Sequence, residues 1–142
     1  RGNHFFTTLG DIAKKFDVTI CLEPNPRDYG TNYMVSSLET LKVVEDVAHP
    51  NIKMQLDTGA LTMNEEDPEL IIPKCAHAIS HIHISEPMLG EINPNNPIHE
   101  KTNTLIEKHL SAHAITIEMK QTDTAIESIL KAIQSVKQVY IN

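Results

Sequence analysis

His81-Ile82-His83-Ile84-Ser85-Glu86 is the stretch whose reading decides the fold. Polar and apolar residues alternate strictly through it, as in a strand with one packed face and one face left for polar side chains. Three other stretches share this grammar: Val18 to Glu23 (Val-Thr-Ile-Cys-Leu-Glu), Ile52 to Asp57 (Ile-Lys-Met-Gln-Leu-Asp) and Ile115 to Glu118 (Ile-Thr-Ile-Glu). Each of those three delivers a carboxylate at its end. Because strand side chains have period 2, Thr19, Cys21 and Glu23 share a face, as do Lys53, Gln55 and Asp57, then His81, His83 and Ser85, then Thr116 and Glu118. The opposite faces are aliphatic and predict packing.

Helical patterns separate the four strands. His4 to Phe16 places Phe5, Leu9, Ile12, Ala13 and Phe16 at helical spacing. Ser36 and Glu39 form a capping box ahead of a stripe of Leu38, Leu41, Val44 and Val47. Asp67-Pro68 reads as an N-cap with proline at the first helical position, opening a helix to about Ile79 that Pro73 should kink or break. Pro87 to Pro97 reads as a long loop, and helices follow through Leu105, Ile106 and Leu110 and over Asp123 to Val139. The last carries Ile126, Ile129, Leu130, Ile133 and Val136 on one face.

Strands joined through helices cannot be hairpins, so the sheet is expected to be parallel, with right-handed crossovers. Parallel strands are ordinarily apolar on both faces, and the polar face here fits an α/β barrel lumen opening into a site at the carboxyl ends of the strands. Four strand-helix units are half of an eight-stranded barrel. Residues 1–142 are therefore read as a single α/β domain, the carboxyl-terminal half of a TIM barrel. A self-contained open sheet and a barrel closed by dimerisation are the alternatives. The chain opens with Arg1, and helical sequence precedes the first strand, so further sequence upstream is expected.

Composition narrows the functional classes. Lys plus Arg number 12 against 19 Asp plus Glu, a net charge of −7. That balance disfavours a broad surface for nucleic-acid phosphates. Cys21 and Cys75 form no CxxC pair, no apolar run approaches membrane-spanning length, and no signal peptide is visible, which together suggest a soluble cytoplasmic protein.

Glu23, Asp57, His83 and Glu118 fall at matching phase on the ends of four strands and are expected to converge on one divalent metal. Three carboxylates and an imidazole make a hard donor set suited to manganese, magnesium or cobalt, with zinc also possible. His81 lies one pleat deeper and reads as a packed lumen histidine. Lys120 shares the parity of Glu118 and could reach an anionic or carbonyl substrate. Arg27, Tyr29 and His99 fall on expected rim loops and are candidate substrate contacts. Glu86 is out of phase with His83, and His4, His49, His77, His109 and His113 read as surface or packing residues.

At Leu22-Glu23-Pro24-Asn25, Leu56-Asp57-Thr58-Gly59, His81 to Glu86 and Ile117-Glu118-Met119-Lys120 the chain resembles the xylose-isomerase-like TIM-barrel superfamily of sugar isomerases and epimerases. The resemblance implies one metal, commonly manganese, held by Glu23, Asp57, His83 and Glu118. In the ketose 3-epimerases of this group it further implies that Glu23 and Glu118 act as an acid/base pair on either side of an enediolate. The chain departs from that pattern at three positions: Ala60 stands where a histidine is typical, Tyr29 where a glutamate is, and Leu89 where an arginine is. These departures favour a different polyol, ketose or sugar phosphate as substrate, and Ala60 also removes a ligand of the multi-zinc endonuclease branch. The function so implied is metal-dependent isomerisation or epimerisation of a sugar or sugar phosphate. The alternatives are dehydration of an inositol-type ketone on the same metal and a non-catalytic sugar-binding domain. The expected partners are the small-molecule sugar and either the other half of the barrel or a second copy of the chain.

Overall fold

The computed structural model describes residues 2–110 and 114–141. Ten principal elements alternate along it: α1 (Gly2–Lys15), β1 (Ile20–Leu22), α2 (Ser37–Val47), β2 (Ile52–Asp57), α3 (Thr58–Met63), α4 (Pro68–Cys75), β3 (Ile79–Ile84), α5 (Pro97–His109), β4 (Ala114–Ile117) and α6 (Ala125–Tyr140). The strands lie side by side in chain order, β1-β2-β3-β4, all parallel. This is an α/β sheet with the order of half a barrel. The register aligns Asp57 with His83 and His83 with Thr116, and Glu118 extends the last ladder by donating its backbone N–H to the Ile84 carbonyl at 3.0 Å.

The two faces of the sheet differ as the alternation demands. Ile52, Met54, Leu56, Ile82 and Ile84 are sealed from solvent against Leu41 and Val44 of α2, Ile71 and Ile72 of α4 and Ile106 of α5. Their burial is the main favourable contribution to the fold, roughly 1.5–3 kcal/mol per fully buried aliphatic side chain. On the opposite face Cys21, Lys53, His81 and His83 are only half-buried.

Local chemistry sets the helix starts. Ser36 accepts from the Glu39 N–H at 3.2 Å, with the Glu39 carboxylate reaching back to the Val35 N–H at 3.1 Å. Asp67 caps α4 through the Glu69 N–H at 3.1 Å and Asn96 caps α5 through the Ile98 N–H at 3.3 Å, each followed by proline at the first helical position.

One expectation needs correction. Pro73 stands inside α4, where its missing N–H leaves the Glu69 carbonyl without its intrahelical partner, and the helix ends two residues later at Cys75, short of Ile79. On α6 the buried residues are Ser128, Ala132, Ser135, Val136 and Tyr140, while Ile126, Ile129, Leu130 and Ile133 face outward. The small residues, not the branched ones, let α6 sit close to β4 and α5. On α1, likewise, Gly10 and Ala13 are buried and Phe5 and Ile12 are exposed, as is Phe16 just beyond its end. Among the described residues, no helix is long and apolar enough to cross a membrane.

Candidate metal centre at the strand ends

Glu23, Asp57, His83 and Glu118 come together at the carboxyl rim, each offering one ligand atom, with all four atoms within 4.8 Å of one another. His83 Nδ1 lies 3.2 Å from Glu118 Oε2 and 3.6 Å from Glu23 Oε1. The donor set tests well against a hard divalent cation: three anionic oxygens and one imidazole nitrogen from four neighbouring strand ends. Glu23 and Glu118, at 37% and 41% side-chain exposure, are open to a solute, whereas His83 at 23% is set deeper.

Asp57 is the most constrained of the four. It is buried, and its Oδ1 accepts from the Ala60 N–H at 2.6 Å as the N-cap of α3. Ser85 Oγ donates within 2.8 and 2.9 Å of its two oxygens. The Gly59 N–H in turn holds Ser85 Oγ at 3.0 Å. A Cβ on Gly59 would stand 2.5 Å from Ser85 Oγ and 2.9 Å from the Glu86 carbonyl, so only glycine lets α3 start this close to the end of β3. Burial pushes the Asp57 carboxyl above its ordinary range, opposed by the hydrogen bonds from Ala60 and Ser85 and reinforced by Glu23 and Glu118. His83 is also raised, first by its hydrogen bond to Glu23 and against the opposing effect of burial.

A cleft of about 340 Å³ adjoins the quartet, lined by Glu23, Asp57 and Glu118 on one side and by Pro24, Pro26, Tyr29, Ala60 and Leu89 on the other. Leu89 reaches this wall from a turn in which Met88 and Leu89 both hold left-handed backbone, φ 58° and 57°. Such conformations are disfavoured for non-glycine residues by about 1–2 kcal/mol each. The turn is pinned by the Leu89 N–H on the Glu86 carbonyl and the Lys120 N–H on the Leu89 carbonyl, both at 2.9 Å.

The remaining candidates separate. Tyr29 forms part of the cleft wall, and burial followed by the charge of Asp57 raises its phenol. Arg27 is exposed on the same loop, and Lys120 is exposed beyond β4; neither lines the cleft. His81 hydrogen-bonds Thr116 Oγ1 at 3.0 Å and meets the His83 ring edge-on at 5.0 Å, half-buried on the polar face of β3. His99 is not a rim residue. It sits in the first turn of α5 at 1% exposure, bonded through Nε2 to Glu86 Oε1 and through Nδ1 to Tyr140 Oη, both at 3.0 Å. Glu86, buried beneath the loop, also accepts from the Asn93 N–H and from Asn96 Nδ2. His4, His49, His77 and His109 lie in helices or turns away from the quartet, and His113 lies outside the described residues. Gln55 and Ser85 were visible as members of the polar faces, but period alone gave them no task; their contacts with the quartet are made across strands.

Residues 4–137 match the model of the xylose isomerase-like TIM barrel family, and the chain belongs to that family. An L-ribulose 3-epimerase of Mesorhizobium japonicum is 31% identical over 88 residues, covering 62% of this chain and 29% of that protein. Among solved structures, a D-psicose 3-epimerase determined in the presence of D-fructose superposes with a TM-score of 0.83 at 17% identity, over 100% of this chain and 56% of the other. A D-allulose 3-epimerase from Methylomonas sp. gives 0.82 at 22% identity, over 97% and 54%. The chain thus spans about half the length of these barrels and less than a third of the curated relative.

Proposed function

We propose that this chain, a single domain, is the metal-binding, carboxyl-terminal half of a cytoplasmic isomerase or epimerase acting on a sugar, a sugar phosphate or a related polyol ketone. The observation that carries the proposal is the convergence of Glu23, Asp57, His83 and Glu118 within 4.8 Å beside an open cleft. A divalent ion held there, manganese foremost, with magnesium, cobalt or zinc as alternatives, would supply Lewis acidity to the carbonyl and hydroxyl oxygens of the substrate.

The chain's own residues supply the rest. Asp57, locked by Ala60 and Ser85, fixes the floor, and His83 sets the depth. Glu23 and Glu118 come from the two outer strands and flank Asp57 and His83. One of these carboxylates removes the proton from the carbon beside the carbonyl, and the electron pair moves to the carbonyl oxygen to give an enediolate. The other returns a proton to carbon, and the geometry of that return selects isomer or epimer. Tyr29, Ala60 and Leu89, the three positions that depart from the ketose 3-epimerase pattern, all line the cleft. Their clustering supports a substrate other than that of the ketose 3-epimerases, because the changes fall where a sugar would be contacted.

The exposed apolar residues Phe5 and Ile12 on α1, Phe16 just after it, and Ile126, Ile129, Leu130 and Ile133 on α6 support a missing partner, either an amino-terminal half-barrel or a second copy. The 142-residue chain by itself is then expected to self-associate in sedimentation, and a stable monomer would overturn that half of the proposal. Incubation of candidate ketoses in deuterated water with manganese tests the chemistry. Deuterium on carbon at unchanged skeleton mass supports isomerisation, loss of one water points to the dehydratase alternative, and no exchange points to a sugar-binding domain.

A further inference from the structure

Pro24, Pro26, Ala60 and Leu89 make the cleft wall across from the quartet mainly aliphatic. The two prolines and Ala60 are buried and Leu89 is half-buried. The Thr31 hydroxyl on the same wall is spent within its own loop, where it donates to the Asn25 and Pro26 carbonyls. Among the described residues, no lysine, arginine or histidine lines the cleft, while three carboxylates do. Ala60 stands three residues beyond Asp57 with its N–H on Asp57 Oδ1, so its methyl group borders the place where substrate oxygens would meet the ion. Leu89 reaches the wall only through the left-handed turn at Met88 and Leu89. That turn is anchored by the buried Glu86, whose carboxylate accepts from the Asn93 N–H at 3.0 Å and Asn96 Nδ2 at 2.8 Å and pairs with His99 Nε2 at 3.0 Å. Backbone strain that the surroundings hold in this way gathers where the placement of a side chain matters to function.

We propose that Ala60 and Leu89 form a methyl-binding subsite beside the metal centre, and that the substrate is an uncharged 1-deoxyketose, a sugar whose carbonyl carbon carries a methyl group. This rests on the isomerase or epimerase reading above and narrows its substrate. A ketose that offers its carbonyl oxygen and the neighbouring hydroxyl oxygen to one ion has two arms leaving that pair of carbons. The long arm carries hydroxyls along its length, and each one buried without a partner is unfavourable. An aliphatic wall supplies no such partners. The short arm is a single carbon, and as a methyl group it needs none. A hydroxymethyl group in that place gives up water without gaining a hydrogen bond, and a phosphate would stand near three carboxylates with no basic side chain to pair it. The C–H bond that breaks and re-forms is at the carbon bearing the chelating hydroxyl, its proton passing to a carboxylate and its electron pair to the carbonyl oxygen. The methyl carbon keeps all its bonds.

The test uses the complete protein loaded with Mn2+ and follows deuterium uptake on carbon by NMR. The probes are the 1-deoxy-2-pentuloses and 1-deoxy-2-hexuloses, each set against its parent ketose and that ketose's 1-phosphate. The best 1-deoxyketose is expected to exceed its parent by about 10–100-fold in kcat/KM, with the 1-phosphate poorer still. Leu89→Gln, similar in size but polar, is expected to draw that ratio down to near unity, the loss falling on the 1-deoxyketose. Ala60→Ser adds one hydroxyl to the same wall without touching the strained turn and is expected to shift the ratio the same way. A parent ketose or 1-phosphate turned over as well as its 1-deoxy counterpart, or a preference unchanged in both variants, would overturn the inference and leave the isomerase or epimerase reading standing. If no ketose in the panel takes up deuterium on carbon, that reading fails and the substrate assigned here falls with it.

Discussion

Two imidazole-carboxylate clusters lie a few residues apart in this molecule and have opposite characters. In the first, His99 is closed in by Glu86 and Tyr140, and Glu86 is further served by Asn93 and Asn96, so donors and acceptors are matched. In the second, His83 faces Glu23 and Glu118 in an open cleft where acceptors outnumber donors. The first set consumes its own hydrogen-bonding capacity and ties the loop after β3 to α5 and α6. The second leaves lone pairs aimed at a common point. A histidine beside a glutamate is therefore structural or chemical according to that balance, not according to the residue types.

The largest effect that would sharpen the contrast is at Glu118. Glu118→Gln is expected to lower turnover by about 10²–10⁴-fold, with weaker metal binding and an unchanged circular dichroism spectrum; full activity would remove its assigned role. At the other cluster, His99→Leu should destabilise by about 1–3 kcal/mol for each buried group left short of a partner. Metal affinity should not change, and a large loss of affinity with an intact fold would break the distinction drawn here. Gly59→Ala joins the two behaviours, because the new Cβ must displace Ser85 from Asp57. Overpacking of this kind costs about 1–3 kcal/mol, and a parallel fall in metal affinity is expected by titration. Unchanged stability and affinity would mean that Ser85 does not hold Asp57 in place.

The smallest effect is a pH dependence. In the metal-free protein Asp57 and His83 both have raised pKa values. Their contribution to stability is therefore whole below the unfolded values of 3.8 and 6.5 and is lost as pH rises through the folded ones. A bound cation needs both groups deprotonated and reverses the trend. Thermal melts should show a larger stabilisation by Mn2+ at about pH 8 than at about pH 6, and an equal shift at both would argue against His83 as a ligand.

The quartet was legible in the sequence because period-2 alternation and a place near a strand end are local properties, and Glu23, Asp57, His83 and Glu118 show both. Gln55 shows the same alternation, but its amide nitrogen serves as donor to Glu23 and His83 across distances to two other strands, which no local pattern encodes. His99 was misplaced on the rim because the stretch before it reads as loop, whereas Asn96 and Pro97 already start α5 and turn the imidazole inward. For α6 the apolar stripe was read correctly as a stripe, but which side is buried depends on the neighbouring element. Packing against β4 and α5 selects Ala132 and Ser135, leaving Ile126 and Leu130 at 76% and 57% exposure.

The common direction of the strands limits what can complete the sheet. Among the described residues β1 and β4 each pair on one side only, leaving two bare edges of identical polarity. A neighbour that continued the ladder head-to-tail would carry its own strand tips to the far mouth and leave this quartet without opposing walls. One that ran in the same sense would enclose the quartet. If that neighbour were an identical chain, the twofold axis would run along the lumen, and both quartets would open on one vestibule.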